Sequence, residues 1–256
     1  MSILADLFSL TGKTAVVTGA SRGLGAAAAE ALAEAGANVV LIGREISSIS
    51  QRAEELQPLG VKALPVRCDM SRPKQIANAI SKAQKEFGTV DILVNNAGII
   101  KRWPATDYPL DDWQSVLNVN LTGAFLMAQG VGRIMIENGG GKIINIASLL
   151  SYSGGKFVPA YTASKHGIAG ITKALANEWA GKKVNVNAIA PGYFETDATE
   201  ALRKDRKRFK ELSSRIPAGR WGVPDDLKGT VLYLASKASD YVHGQVIVVD
   251  GGWMSS

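Results

Sequence analysis

Cysteine is almost absent. Cys68 stands alone among 256 residues, which excludes an intrachain disulfide and any metal cluster built from the cysteines of one copy. A reducing, cytoplasmic setting is therefore expected. Histidine is nearly as scarce, with only His166 and His243. Lone histidines are more often structural than catalytic, and no metal is expected. The first residues, MSILADLFSLTGK, lack a basic leader, a long apolar core and a small-residue cleavage site, and no apolar run reaches the eighteen or so residues of a membrane span. The expectation is a protein neither secreted nor membrane-spanning. No Pro/Gly/Ser-rich linker, composition break, internal repeat or low-complexity segment divides the chain, so residues 1–256 read as one domain.

What is present is ordinary globular composition, 46% apolar and 20% charged. The net charge is +6, favouring anionic partners in general. Much of the excess lies in RKDRKRFK, residues 203–210, which reads as a solvated helix face. No nucleic-acid-binding signature accompanies it. The stretch 193–216 that contains this run is amphipathic and basic.

Short β-branched runs alternate with longer helical ones. Strands are expected at 14–18, 38–42, 62–66, 91–95, 142–147, 184–189 and 245–249. Helices are expected at 24–35, 45–57, 73–87, 111–138, 160–180 and 225–236, with an irregular charged segment after the sixth strand. Val and Ile at both alternating positions imply strands buried on two faces. That is the mark of a parallel sheet covered by helices, here a doubly wound, Rossmann-like α/β fold with seven strands. Ligands of such sheets sit beyond the carboxyl ends of the strands, where strand order reverses.

Directly after the first strand comes Thr18-Gly19-Ala20-Ser21-Arg22-Gly23-Leu24-Gly25, opening onto a helix. Glycines permit the tight turn and close approach of a pyrophosphate, and the helix start offers free N–H groups. The spacing Gly-x-x-x-Gly-x-Gly differs from the usual dinucleotide fingerprint. The second strand ends Leu41-Ile42-Gly43-Arg44. An acid here would bind the ribose hydroxyl of NAD, whereas an arginine suits the 2′-phosphate of NADP. Gly43 is not acidic; Arg44 fits phosphate and Arg22 offers a second positive charge, so NADP(H) is favoured with NAD(H) as the alternative. A surface arginine at a strand end, beside Glu45, is the other reading of Arg44.

Later come Ile146-Ala147-Ser148 and Tyr161-Thr162-Ala163-Ser164-Lys165. Tyr161 and Lys165 are four apart and share a helix face, so the ammonium is expected to lower the pKa of the phenol and make it a usable general acid/base. His166, one position on, points elsewhere.

Over essentially its whole length the sequence resembles the short-chain dehydrogenase/reductase family. The resemblance is carried by TGASRGLG (18–25), CDM with Asp69, NNAG (95–98), Asn120 in NVNLTG, Ser148, YTASK (161–165) and PGYFET (191–196). It implies hydride transfer between nicotinamide and a hydroxyl or keto carbon, with Tyr161 as proton carrier, Ser148 holding the substrate oxygen, and Lys165 binding the nicotinamide ribose. Asn120 would hold a water in the proton path. Asp69 and Met70 would flank the adenine, Asn96, Ala97 and Gly98 support the cofactor, and Pro191, Gly192 and Thr196 line its nicotinamide side. Within the family the chain is most similar to the gluconate 5-dehydrogenase and 2-dehydro-3-deoxy-gluconate 5-dehydrogenase group, which implies a sugar-acid substrate. Lys101 and Arg102 follow NNAG and are placed to pair with its carboxylate; the alternative is a solvated loop with Trp103 packed beneath it. A 3-oxoacyl-thioester reductase and a non-catalytic cofactor-binding regulator are the competing functions. The last strand, VIVVDGGW, resembles the segment through which family members pair, implying a homotetramer.

Overall fold

The computed structural model describes residues 3–255. Its strands are β1 (Thr14–Thr18), β2 (Asn38–Gly43), β3 (Ala63–Arg67), β4 (Ile92–Asn95), β5 (Gly141–Ile146), β6 (Val184–Pro191) and β7 (Val246–Val249). They form one sheet in the order β3-β2-β1-β4-β5-β6-β7, every neighbouring pair parallel. The expected strands are all present, shifted by no more than two residues at an end.

The Val/Ile pattern explains how the layers stack. Successive strand side chains point to opposite faces. Ala15 and Val17 of β1 enter one core, while Val16 between them enters the other. The first core is closed by α2 (Gly23–Glu34), α3 (Ile46–Leu56) and α10 (Lys228–Ala235), through residues such as Leu32, Ile49 and Val231. The second is closed by α4 (Pro73–Phe87), α6 (Ala124–Glu137) and α7 (Pro159–Trp179), through Ile76, Val131 and Trp179. Each fully buried Val or Ile contributes about 1.5–3 kcal/mol. The expected two-sided burial fails at the sheet edges. β3 and β7 are only partly covered, and Val248 is 37% exposed.

Four local features depart from expectation. The helix expected over 111–138 is one continuous run in three parts: α5 (Leu110–Leu117), a π-helical turn over Asn118–Gly123, and α6. By length and composition this run, Leu110–Glu137, could cross a membrane. Half of its most apolar window is buried here, with Met127, Ala128 and Met135 packed against the sheet, as in a core helix. The segment after β6 is not irregular throughout but carries two short helices, α8 (Glu200–Lys204) and α9 (Arg206–Ser213). A short helix, α1 (Ile3–Phe8), precedes β1, and the helix expected over 225–236 begins as a 3₁₀ turn, Pro224–Leu227, before α10.

β2 and β3 lie on one side of β1, and β4 to β7 on the other. Strand order reverses between β1 and β4, which opens a crevice beyond their carboxyl ends. Gly19, Asn96, Arg44, Ser148 and Gly192 all follow strand ends on that side.

Candidate active site

The crevice is built first from glycine geometry. Gly19 turns out of β1 with φ +66°, a conformation a side chain disfavours. A Cβ on Gly25 would stand 2.2 Å from the Gly19 carbonyl oxygen and 2.4 Å from Asn96 Nδ2, so no side chain fits there. The two loops are stitched together. Thr18 Oγ1 accepts from the N–H groups of Asn96 and Ala97, each at 3.0 Å, while Asn96 Nδ2 donates to the carbonyls of Thr18 and Gly19. Arg22 is the N-cap of α2, and no side chain caps that helix, so its first N–H groups have no side-chain acceptor. An uncapped, glycine-lined helix start suits a pyrophosphate. Ser21 and Leu24 lie half-buried in the same turn.

The adenosine side follows from β2 and β3. A Cβ on Gly43 would meet Ile49 Cγ2 at 2.7 Å, leaving little room for an acid at that position. Arg44 next to it is exposed. Its charge reaches Asp69: burial alone would raise that carboxyl, but hydrogen bonds from Ser71 and the cations Arg44 and Arg72 outweigh it and hold the pKa below the usual value. Met70 is buried, and its carbonyl crowds the π-helical turn, where a Cβ on Gly123 would lie only 2.3 Å away. Beyond β6, a Cβ on Gly192 would meet the Asp250 backbone at 2.6 Å, and the following segment lies across the glycine loop. Thr196 Cγ2 stands 3.5 Å from the Cβ position of Gly23, and Arg22 pairs with Asp197 at 2.8 Å. The second phosphate-binding cation expected at Arg22 is thus already paired with a carboxylate.

Ser148 caps the 3₁₀ turn after β5, accepting from the N–H of Leu150 at 3.2 Å, and its hydroxyl also hydrogen-bonds the Tyr161 phenol. Tyr161 and Lys165 occupy successive turns at the start of α7, with Lys165 Nζ 5.6 Å from the Tyr161 ring centre. Lys165 is buried, donates to the Ile146 carbonyl at 2.5 Å, and is pushed down by that burial to about 8. The Tyr161 phenol is raised above its ordinary value because burial outweighs two opposing influences, a hydrogen bond with Ser148 and the charge of Arg102. The phenol thus stands above its ordinary value, where the adjacent ammonium alone led to the expectation of a lower one, and Arg102 is a cation that offsets part of the rise. Arg102 is exposed, and its charge reaches the phenol. Lys101 does not join it, because its ammonium lies 3.5 Å from Asp112. Trp103 is not packed beneath the loop but 43% exposed.

A family model described as enoyl-(acyl carrier protein) reductase matches residues 19–254. A 2-dehydro-3-deoxy-D-gluconate 5-dehydrogenase of Bacillus subtilis (strain 168) is 52% identical over 255 residues, covering all of both chains. The chain belongs to the short-chain dehydrogenase/reductase family. Among solved structures, an Agrobacterium tumefaciens protein described as a candidate 2-deoxy-d-gluconate 3-dehydrogenase with bound NADP is 48% identical, with 97% of this chain and 99% of that one covered at a TM-score of 0.91. A gluconate 5-dehydrogenase from Burkholderia cenocepacia J2315, in complex with NADP and tartrate, is 41% identical over 98% of this chain and 99% of that one, with a TM-score of 0.95.

As a short-chain dehydrogenase/reductase the chain is an oxidoreductase acting on a CH–OH group, and the geometry adds residues that sequence reasoning did not single out. Ser151, buried, accepts from the Ser148 N–H at 3.3 Å and donates to the Lys165 carbonyl at 2.7 Å, so one hydroxyl ties the turn that carries Ser148 to the helix that carries Lys165. The S-x-x-S spacing of a cap was its only sequence signal. Ser164, fully buried, donates to the Tyr161 carbonyl at 2.7 Å and accepts from Asn120 Nδ2 at 3.2 Å. Asn120 sits in the π-helical turn, and its amide clamps the Ile99 backbone from both sides, at 2.8 and 2.9 Å. That side chain is therefore held at both ends by protein partners, with one lone pair of Oδ1 left over. Gly98 lies within that same loop, exposed, and His166 is exposed on the outer face with Nδ1 3.0 Å from the Thr162 carbonyl.

Proposed function

We propose that this protein is an NADP-dependent dehydrogenase that interconverts a secondary hydroxyl and a ketone on a sugar acid of the gluconate or keto-deoxy-gluconate type. The observation that carries the reading is one arginine cation, Arg102, exposed and near enough for its charge to act on the Tyr161 phenol. A carboxylated substrate with its reacting carbon at Tyr161 has a counter-charge waiting there. The named relatives act on gluconate-type sugar acids, and one neighbour holds tartrate, a small carboxylate, together with NADP.

When bound, NADP supplies the hydride acceptor, and its reduced form the donor. Tyr161 takes the hydroxyl proton in oxidation and returns it in reduction. Ser148 donates its O–H to the substrate oxygen. Lys165, with a pKa of about 8, keeps its charge at neutral pH and would hold the nicotinamide ribose. Gly19, Ser21, Arg22, Gly23, Leu24 and Gly25 would hold the pyrophosphate, Arg44 the 2′-phosphate, and Asp69 and Met70 the adenine. Asn96, Ala97, Gly98, Pro191, Gly192 and Thr196 would hold the nicotinamide half.

Residues 193–216 form the lid of a single domain. α8 and α9 rest on an apolar cluster of Leu212, Ile216 and Trp221, with Tyr193 and Trp253 beside it; Lys204, Arg206, Lys207 and Lys210 are exposed, whereas Arg203 turns inward and donates to the Thr196 carbonyl at 3.2 Å. The reading includes a cytoplasmic homotetramer. A lone buried thiol, pushed up to about 11 by burial, and the partly uncovered β7 edge support it.

The test is nicotinamide absorbance with NADP and NAD across gluconate, keto-gluconates, keto-deoxy-gluconate and a 3-oxoacyl thioester. Turnover of a sugar acid at least tenfold more efficient than of the thioester is expected. Preference for the thioester, or binding without turnover, overturns the assignment.

A further inference from the structure

Arg102 lies between two residues held by the same carboxylate. Lys101 Nζ stands 3.5 Å from Asp112 Oδ1, and Trp103 Nε1 donates to Asp112 Oδ2 at 2.7 Å. One oxygen serves each flank. Asp112 sits in the first turn of α5, only partly exposed. Two further contacts fix the backbone of this segment: the Tyr108 hydroxyl donates to the Lys101 carbonyl at 3.2 Å, and the Trp103 N–H donates to the Phe157 carbonyl at 3.0 Å.

Lys101 and Trp103 both reach toward α5, and Arg102 between them is exposed, makes no part of that contact, and carries a charge that acts on the Tyr161 phenol.

We infer that Asp112 is a positioning residue for substrate selectivity: by holding Lys101 and Trp103 it aims Arg102 at the carboxylate of a sugar-acid substrate. The inference rests on the role proposed for Arg102 and extends it to a residue that touches neither substrate nor cofactor. It also gives Lys101 a function. A lysine drawn to Asp112 is kept out of the substrate's path, so a single cation of defined direction meets the anion.

The experiment compares wild type, Asp112→Ala, Asp112→Asn, Arg102→Ala and the Arg102→Ala/Asp112→Ala double variant. The readout is the ratio of kcat/KM for a sugar acid to that for an uncharged keto sugar, with NADP affinity by fluorescence certifying the fold. Asp112→Ala is expected to lower the ratio at least tenfold, chiefly through KM of the acid. Asp112→Asn, which still accepts from Trp103, should fall between it and wild type. The double variant should match Arg102→Ala within twofold, because a positioning residue has no effect once its target is gone. If Arg102→Ala lowers the ratio while Asp112→Ala does not, or if the two losses multiply, Asp112 does not act through Arg102 and the inference fails alone. If Arg102→Ala leaves the ratio unchanged, the role proposed for Arg102 fails and this inference with it.

Discussion

Arg22 and Asp197 are joined at 2.8 Å, so the loop that opens α2 is tied to the segment that follows β6. Both partners are largely exposed, which limits the strength of the pair to about 0–1 kcal/mol. It also pairs one of the two cations expected to bind phosphate, and the other, Arg44, is exposed.

Removing the carboxylate should therefore have a small, salt-sensitive effect. Asp197→Ala is expected to lower Tm by no more than about 4 °C and to change NADP affinity by no more than about fivefold at low ionic strength, with the difference shrinking toward 1 M salt. Thermal melts and fluorescence titrations at two salt concentrations check it. A large, salt-independent loss would show that the segment is held by more than this pair.

Arg44 is where cofactor selectivity should reside. Charge-assisted hydrogen bonds contribute about 1.5–3 kcal/mol, so Arg44→Ala should weaken NADP by roughly ten- to a hundredfold. NAD, which has no 2′-phosphate, should change by less than about threefold. Measured dissociation constants for both cofactors decide it, and equal losses would contradict the assignment.

The fold was legible because strand burial is written locally. Alternate β-branched residues in TAVVT and NVVLI, glycines after β1 and the length of each helical run needed no knowledge of distant partners. The departures share a cause, which is dependence on contacts far apart in sequence. The π-helical turn at Asn118–Gly123 meets the Met70 backbone, fifty residues earlier, and NVNLTG carries no local mark of it. α8 and α9 are held by an apolar cluster that reaches to Trp253. The site followed the same division. Ser148, Tyr161 and Lys165 were readable from type and spacing, but which cation acts on the phenol depends on where burial and the 101–103 loop place the charges.

That charge arrangement sets a pH dependence. Burial raises the Tyr161 pKa, and the Arg102 cation, which favours phenolate, offsets part of that rise. Oxidation needs the phenol as a base, so kcat/KM for the alcohol should rise with pH toward a limb above neutrality. Arg102→Gln removes the stabilising charge, raises the phenol pKa and should move that limb to higher pH, lowering oxidation at pH 7 to 8. A pH profile of kcat/KM for an uncharged alcohol, which keeps substrate binding by Arg102 out of the comparison, measures the shift. No movement, or movement to lower pH, would contradict the electrostatics found here.

The central claim is that the Tyr161 phenol carries the proton for hydride transfer at this cleft. The most direct measurement is kcat of Tyr161→Phe with a sugar-acid substrate, alongside NADP binding by fluorescence. Loss of general acid/base catalysis lowers turnover by about 10²–10⁴-fold, and NADP should still bind within about threefold of wild type. Turnover that survives the substitution intact would contradict the account.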